Sequence, residues 1–423
     1  MKIHGISAPV LVLGANLHGS LGIIRSLGEL AITVYGTYSG ERGPATYSRY
    51  CKQSFEWTYP AGSDQEAVRS LVRIGEQIGR PCILIPTWDE TAVLVTEHYA
   101  ELSRKFIYPQ QDPELARTLV SKKDMYALAK KSGVPTAEIT LPKSLADVES
   151  FAHSAKFPVL LKGSDGNRLK QRTNRKMVIV STPEELVRLY QEMEDPEDPN
   201  LMLQEYIPAR AGADWMFNGY FNADSNCLVG FTGQKIRQTP VYTGMTSLGI
   251  CRSNAIVIKR TVDWMKQLGY KGILDIGYRY DHRDGEYKVL DVNPRIGATF
   301  RLFVGREGID VARALYLDLT GQSVPVSACS EGRKWMVELD LKSCIDYYRD
   351  GNLTIREWCD SLRGIKELGY FRKDDLRPFA KFLSTGMRRL IRGSKEVPSA
   401  TTSPVYGQAL SGTAGIGATA AAE

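Results

Sequence analysis

The sequence predicts an α/β fold, with a parallel, doubly wound sheet at the N-terminus, that passes into an α+β region of antiparallel strands. Three observations carry this expectation. "APVLVLGANLHGSLGIIRSLGEL" reads as a continuous apolar strand, a glycine-rich turn and an amphipathic helix. "AITVYGTYSG" and "PCILIPTWDETAVLVTEHYAEL" add a second strand, then a third with its helix, and such alternation implies parallel pairing. From about residue 136 the pattern changes to short strands separated by polar turns.

The remaining segments follow in order. "PELARTLVSKKDMYALAKKSGVP" is helical and closed by Gly133 and Pro135. "FPVLLKGSDG" and "RKMVIVST" are strands around a polar loop, and "PEELVRLYQEME" is a helix with Pro183 in its first turn. "LMLQEYIPARAGADWMFNGYFNADSNCLVGFTGQKIRQTP" reads as several antiparallel strands. "YKGILDIGYRYDHRDGEYKVLDVNPRIG" is a hairpin turning at Asp284-Gly285. Residues 331–392 look mostly helical, and the stretch from 393 lacks branched and aromatic anchors, as a disordered tail does.

Composition narrows the class. A chain of 423 residues with 43% hydrophobic content can bury two or three cores, and a net charge of +6 decides little about partners. Seven cysteines without a CxxC pair suggest reduced thiols in the cytoplasm, not a zinc site or a disulfide frame. The N-terminus reads as a first strand, not a signal peptide, and no run reaches the ~20 apolar residues of a membrane span. The turn "GANLHGSLG" places Asn16 where a dinucleotide fingerprint needs glycine, and no acid follows the second strand, so Gly14, Gly19 and Gly22 read as punctuation. P-loop and kinase motifs are absent.

The informative stretch is "VLDVNPRIG". In a strand, Asp291, Asn293 and Arg295 share one face while Leu290 and Val292 face the other. The turn places Asp275 across from Asp291 and Asn293. Two carboxylates and an amide oxygen suit a hard cation such as Mg²⁺, and Arg295 would then face its anion. Lys162 ends an apolar strand, a costly place for a charge unless an anion meets it. Lys170, Arg172, Arg175 and Lys176 crowd the next loop. Lys235 and Arg237 alternate along "GQKIRQTP", as substrate ligands or as a basic surface ladder, and Arg301, set in the apolar "ATFRLF", reads toward substrate binding.

The order of these pieces resembles the ATP-grasp superfamily of carboxylate–amine ligases, closest to its D-aspartate ligase-like and carbamoyl-phosphate-synthase-like branch. "SGVPTA", "FPVLLK", "LQEYIP" and "YKVLDVNPR" carry the resemblance, with "DVNPR" at the family's acid-x-Asn-x-Arg. It implies a Rossmann-like pre-ATP-grasp domain at 1–115, a small lobe at 116–198, a large lobe at 199–330, a helical C-terminal extension at 331–392 and the tail at 393–423. It implies ATP with Mg²⁺ or Mn²⁺, and small-molecule carboxylate and amine substrates joined through an acyl phosphate. Asp291 and Asn293 would be metal ligands, and Arg295 with Lys162 catalytic. Lys122 (or Lys123), Lys162 and Lys176 (or Arg175) would meet phosphates; Glu205, Tyr206 and Ile207 the adenine; Asp214 the ribose. The usual metal-binding glutamate aligns with Gly277, leaving Asp275 as substitute, and the covering loop is basic instead of glycine-rich. We expect a homodimer without nucleic acid. The alternatives are a nucleotide-binding scaffold without turnover, and a basic amphipathic helix at 376–392 that packs on its own domain or lies on a membrane surface.

Overall fold

The computed structural model describes residues 8–391 except 60–62, 165, 176, 209, 240 and 242–243. Lys176, Arg392 and the tail from 393 lie outside the described residues. The chain forms two compact units: a larger one up to Glu138 and again from Ile207, and a smaller one at Ile139–Tyr206. Positions 115 and 330, where the sequence suggested boundaries, both fall inside the larger unit.

The larger unit begins with β1 (Val10–Leu13), α1 (His18–Gly28), β2 (Val34–Tyr38) and β3 (Cys51–Glu56). Then come α2 (Asp64–Ile78), β4 (Cys82–Pro86), α3 (Asp89–Glu97), α4 (Tyr99–Leu102), β5 (Phe106–Ile107), α5 (Pro113–Val120) and α6 (Lys122–Lys131). The strands pair in parallel in the order β3-β2-β1-β4-β5. β1 is wholly buried, as a strand covered on both faces must be. β3 and β5 escape sequence reading because β3 is a polar edge strand that buries only Phe55 and β5 has two residues.

The smaller unit contains β6 (Ile139–Thr140), α7 (Leu145–Ser154), β7 (Val159–Gly163), α8 (Gly166–Thr173), β8 (Met177–Val180), α9 (Pro183–Met193) and β9 (Leu201–Glu205). Its antiparallel sheet runs β6-β9-β7-β8 over a core that includes Val148, Leu161, Leu186 and Leu203. The expected polar loop is largely the helix α8, whose Arg168 donates to the Asp198 carbonyl and whose Arg172 donates to the Met193 carbonyl.

The larger unit resumes with β10 (Asp214–Phe221), β11 (Cys227–Thr239), β12 (Met245–Cys251), α10 (Ala255–Gln267), β13 (Gly272–Asp281), β14 (Glu286–Asn293) and α11 (Val311–Leu319). It closes with β15 (Lys334–Met336), α12 (Asp340–Arg349), α13 (Ile355–Leu362), β16 (Ile365–Leu368) and α14 (Arg377–Ile391). The described strands form one sheet in the order β14-β13-β10-β11-β12-β15-β16. The C-terminal region expected to be helical therefore also supplies two strands. Trp335 and Tyr370 from it join the core that holds Val12, Leu21 and Phe300.

Buried ion pairs tie that region down. Arg25 of α1 donates to Asp375 at 2.9 Å, and Arg301 spans Asp310 and Glu367. In α14, Phe379 and Phe382 pack on the core and Phe382 stacks on Tyr370 at 4.3 Å, while Leu383 of the same stripe is exposed. No described helix is long and apolar enough to cross a membrane. Cys251 and Cys329 are joined in a disulfide, contrary to the expectation of reduced thiols throughout, because β12 and the segment after α11 bring residues 78 apart together.

Arg237 shows how much such a pair carries. It donates to both oxygens of Asp340, and the two side chains are 3% and 0% exposed. Asp340→Ala leaves that guanidinium buried and unpaired, which costs about 3–5 kcal/mol. Urea unfolding is expected to show a loss of this size, with partial recovery in Arg237→Met/Asp340→Leu. A loss below about 1 kcal/mol would place the pair among weak surface bridges.

Candidate functional site

The hairpin β13–β14 builds the site. Asp275 lies opposite Asn293 and Gly277 opposite Asp291. The register shifts after Gly277, so Tyr278 pairs with Val289 and Leu290 is the extra residue of a bulge. Val289, not Leu290, therefore shares the buried face with Val292, which corrects the strict alternation read from sequence. β14 ends at Asn293 because Pro294 has no N–H for the ladder.

On the other face the polar groups converge. The Asn293 amide nitrogen lies 3.4 Å from an Asp275 oxygen and 3.2 Å from an Asp291 oxygen. One N–H donor group thus occupies the place between two like charges that a hard cation would take, and the donor set of two carboxylates and an amide suits Mg²⁺. Asp275 is covered from above by Gly297. A Cβ at Gly297 would lie 2.5 Å from the Asp275 carboxyl carbon, so only glycine lets the chain cross there.

The two acids differ in charge state. Burial pushes the Asp275 carboxyl up to about 6, with Asp291 adding to the shift and Arg295 opposing it. Burial also works against the Asp291 charge, but Lys122 and Arg295 outweigh it and hold that carboxyl below its usual range. Lys122, the first residue of α6, lies 3.4 Å from Asp291.

Arg295 is held from three sides. It donates to Asp89 at 2.7 Å, to the Asn293 amide oxygen at 3.2 Å and to the Ile296 carbonyl at 3.2 Å. Asp89 opens α3, just beyond β4, and burial raises its carboxyl against the pull of Arg295. Sequence reading missed Asp89. Its signal was an acid just past the C-terminal end of a parallel strand, where α/β sheets place their ligand sites.

The other expected residues fall into separate groups. Lys235 is half-buried, and burial lowers its amine while Asp214, Asp275 and Asp291 oppose the shift. Arg237 is not on its face: register shifts on both sides of Arg237 turn it into the Asp340 pair. Arg301, expected near substrate, is instead buried against Glu367 and Asp310. Asp214 is engaged by Arg279 at 2.6 Å and by Gln238 at 2.8 Å, and Arg279 also meets the Ile207 carbonyl. In the smaller unit, Lys162 lies on β7 between Met177 and Met202, while Glu205 ends β9 and Tyr206 follows it. Gly19 and Gly22 do more than punctuate: a Cβ at Gly19 would lie 2.7 Å from the Ala298 backbone, so α1 approaches the segment after Arg295 closely.

No family model matches the chain. It is 23% identical over 320 residues to the D-aspartate ligase of Enterococcus faecium, which covers 72% of this chain and 74% of that protein. It is also 23% identical over 268 residues to the C-terminal section of the carbamoyl phosphate synthase large chain of Methanopyrus kandleri, covering 62% and 47%. Among solved structures, the biotin carboxylase domain of Hydrogenobacter thermophilus 2-oxoglutarate carboxylase, solved with MgADP, matches with a TM-score of 0.55 at 19% identity over 75% of this chain and 71% of that one. That fold, those two relatives and the "DVNPR" hairpin together indicate a carboxylate–amine ligase of the ATP-grasp kind.

Proposed function

We propose that this chain is an ADP-forming carbon–nitrogen ligase, which phosphorylates a substrate carboxylate with ATP and joins it to an amine. The observation that carries the reading is the convergence of Asp275, Asp291 and Asn293 beside Arg295 on one sheet face. A carboxylate resists attack by an amine until one oxygen is made a leaving group. In the first step a carboxylate oxygen takes the γ-phosphoryl group and the bond to ADP breaks. In the second the amine nitrogen bonds to the acyl carbon, phosphate leaves and the nitrogen loses a proton.

Phosphoryl transfer asks the protein mainly for position and charge. When bound, Mg²⁺ or Mn²⁺ would neutralise the phosphates and orient them. Asp275, Asp291 and Asn293 would hold it. Arg295, locked by Asp89, presents a fixed guanidinium beside them for the transferred group. Lys122 stands 3.4 Å from Asp291 and supplies a second cation at the same edge. In the smaller unit, Lys162 is assigned to phosphate, and Glu205 and Tyr206 to the adenine, on motif position. Asp214 serves Arg279 in this reading.

The relative that acts on D-aspartate makes amino acids the first acids and amines to screen. An ADP-release assay over amino-acid pairs is expected to find a pair that turns over, with Asp291→Ala at least roughly a hundredfold lower in kcat/KM. Nucleotide binding without ADP release for any pair would favour a scaffold instead.

The Asp275 carboxyl adds a pH signature. A metal ligand must be deprotonated, and this one keeps its proton below about 6. Metal affinity is therefore full above that pH and falls by roughly tenfold per unit below it. Mn²⁺ titrations in the presence of ADP between pH 5 and 7.5 are expected to show this slope, absent in Asp275→Asn.

A further inference from the structure

The sheet face beside the acids is arranged in rows. Asn218, Asp275 and Asn293 form one; Met216, Gly277 and Asp291 the next; Asp214 and Arg279 the third. On β11, Gly233 lies opposite Met216 and Gln234 opposite Trp215, so Lys235 follows beside Asp214. Lys235 thus stands one row beyond Gly277 and Asp291, and two rows from Asp275. It forms no ion pair among the described residues, and the charges acting on its amine are Asp214, Asp275, Asp291 and Arg279.

Within the middle row, the Gly277 position carries no side chain. A Cβ at Gly277 would meet only the Asp291 Cβ, at 3.9 Å, and the backbone there is open to any residue. Sites that hold two metal ions about 3.5–4 Å apart need donors for both. Here Asp275, Asp291 and Asn293 converge on one point, where the Asn293 amide reaches both acids. Gly277 and Met216 offer no oxygen for a second, and Asp214 is already taken by Arg279 and Gln238.

We propose that the site takes one divalent cation per nucleotide, and that Lys235 supplies the second positive charge to the phosphate or carboxylate group lying over Gly277. This rests on the nucleotide-binding reading above and adds to it a stoichiometry and a residue. The anion is bracketed, with the metal on the Asp291 side and the ammonium on the β11 side. An ammonium has no coordination geometry to satisfy, so it needs no carboxylate beneath it, and a glycine floor leaves room for the group it holds.

The test is a Mn²⁺ titration of the full chain with saturating ADP, or a non-hydrolysable ATP analogue, followed by EPR, with nucleotide affinity measured in parallel by calorimetry. The expected result is one Mn²⁺ per chain. Lys235→Met is expected to keep that count and weaken nucleotide binding by about tenfold or more, with Lys235→Arg restoring most of it. Gly277→Glu is expected to raise the count to two, which gives a gain that misfolding cannot imitate. Two Mn²⁺ per wild-type chain, or unchanged nucleotide affinity in Lys235→Met, overturns the inference and leaves the ligase reading standing. Absence of any nucleotide binding by the wild-type chain overturns the ligase reading, and this inference with it.

Discussion

Two carboxylates on neighbouring strands, pointing the same way from a half-buried sheet face, are the constraint around which the larger unit is organised. Two unit charges about 4 Å apart interact by roughly 4 kcal/mol at the effective dielectric of a protein surface. Asp275 and Asp291 cannot both ionise there without help. The structure resolves the conflict unequally. Asp291, at the outer strand, has Lys122 beside it and stays charged. Asp275, on the inner strand and under Gly297, yields to burial and titrates near 6. A cation held between them would favour the ionised form of both acids, so its capture would release the Asp275 proton.

None of the balancing charges comes from the hairpin's own strands. Lys122 opens α6, and Asp89, which holds Arg295, opens α3 of the parallel-sheet region. The hairpin works only because the parallel sheet is packed against it, and the close approach of α1 at Gly19 fixes that packing. The C-terminal strands and Arg301, spanning Asp310 and Glu367, hold the other flank of the same segment. This explains why the N-terminal sheet and the acid-bearing sheet share one core rather than forming separate domains.

Much of this was legible in the sequence, and the failures have a common cause. Period-two spacing put Asp291 and Asn293 on one face, and the Asp284-Gly285 turn put Asp275 across from them, because local geometry alone decides both. Lys122 came from motif order alone, with Lys123 as its alternative, and it is Lys122 that lies beside Asp291. The bulges did not show. A single extra residue at Leu290, and the register shifts around Arg237, reverse the faces that alternation assigns, and they are set by what the neighbouring strand requires. β15 and β16, three and four residues long, exist only as additions to a sheet formed far away in the chain. Asp89 was invisible for the opposite reason. It follows an unremarkable strand, and its partner lies 206 residues on.

The arginines show why side-chain chemistry alone misleads. Arg237, Arg295 and Arg301 each read from the sequence as a ligand for an anion. Arg237 and Arg301 are met by carboxylates on several N–H groups: Asp340 with Ser361 for one, Glu367 with Asp310 for the other. Breaking such a buried pair to bind a substrate would strand a carboxylate in the interior, so these two are fixed. Arg295 meets one carboxylate oxygen closely, while its other contacts are an amide oxygen and a carbonyl, both at 3.2 Å. An amide oxygen is neutral and can be given up to a metal without leaving a charge behind. The guanidinium would then stay anchored by Asp89 and turn its freed N–H toward the phosphoryl group. Neutral partners on an otherwise anchored guanidinium are what distinguish an arginine that can act from one that only holds the fold.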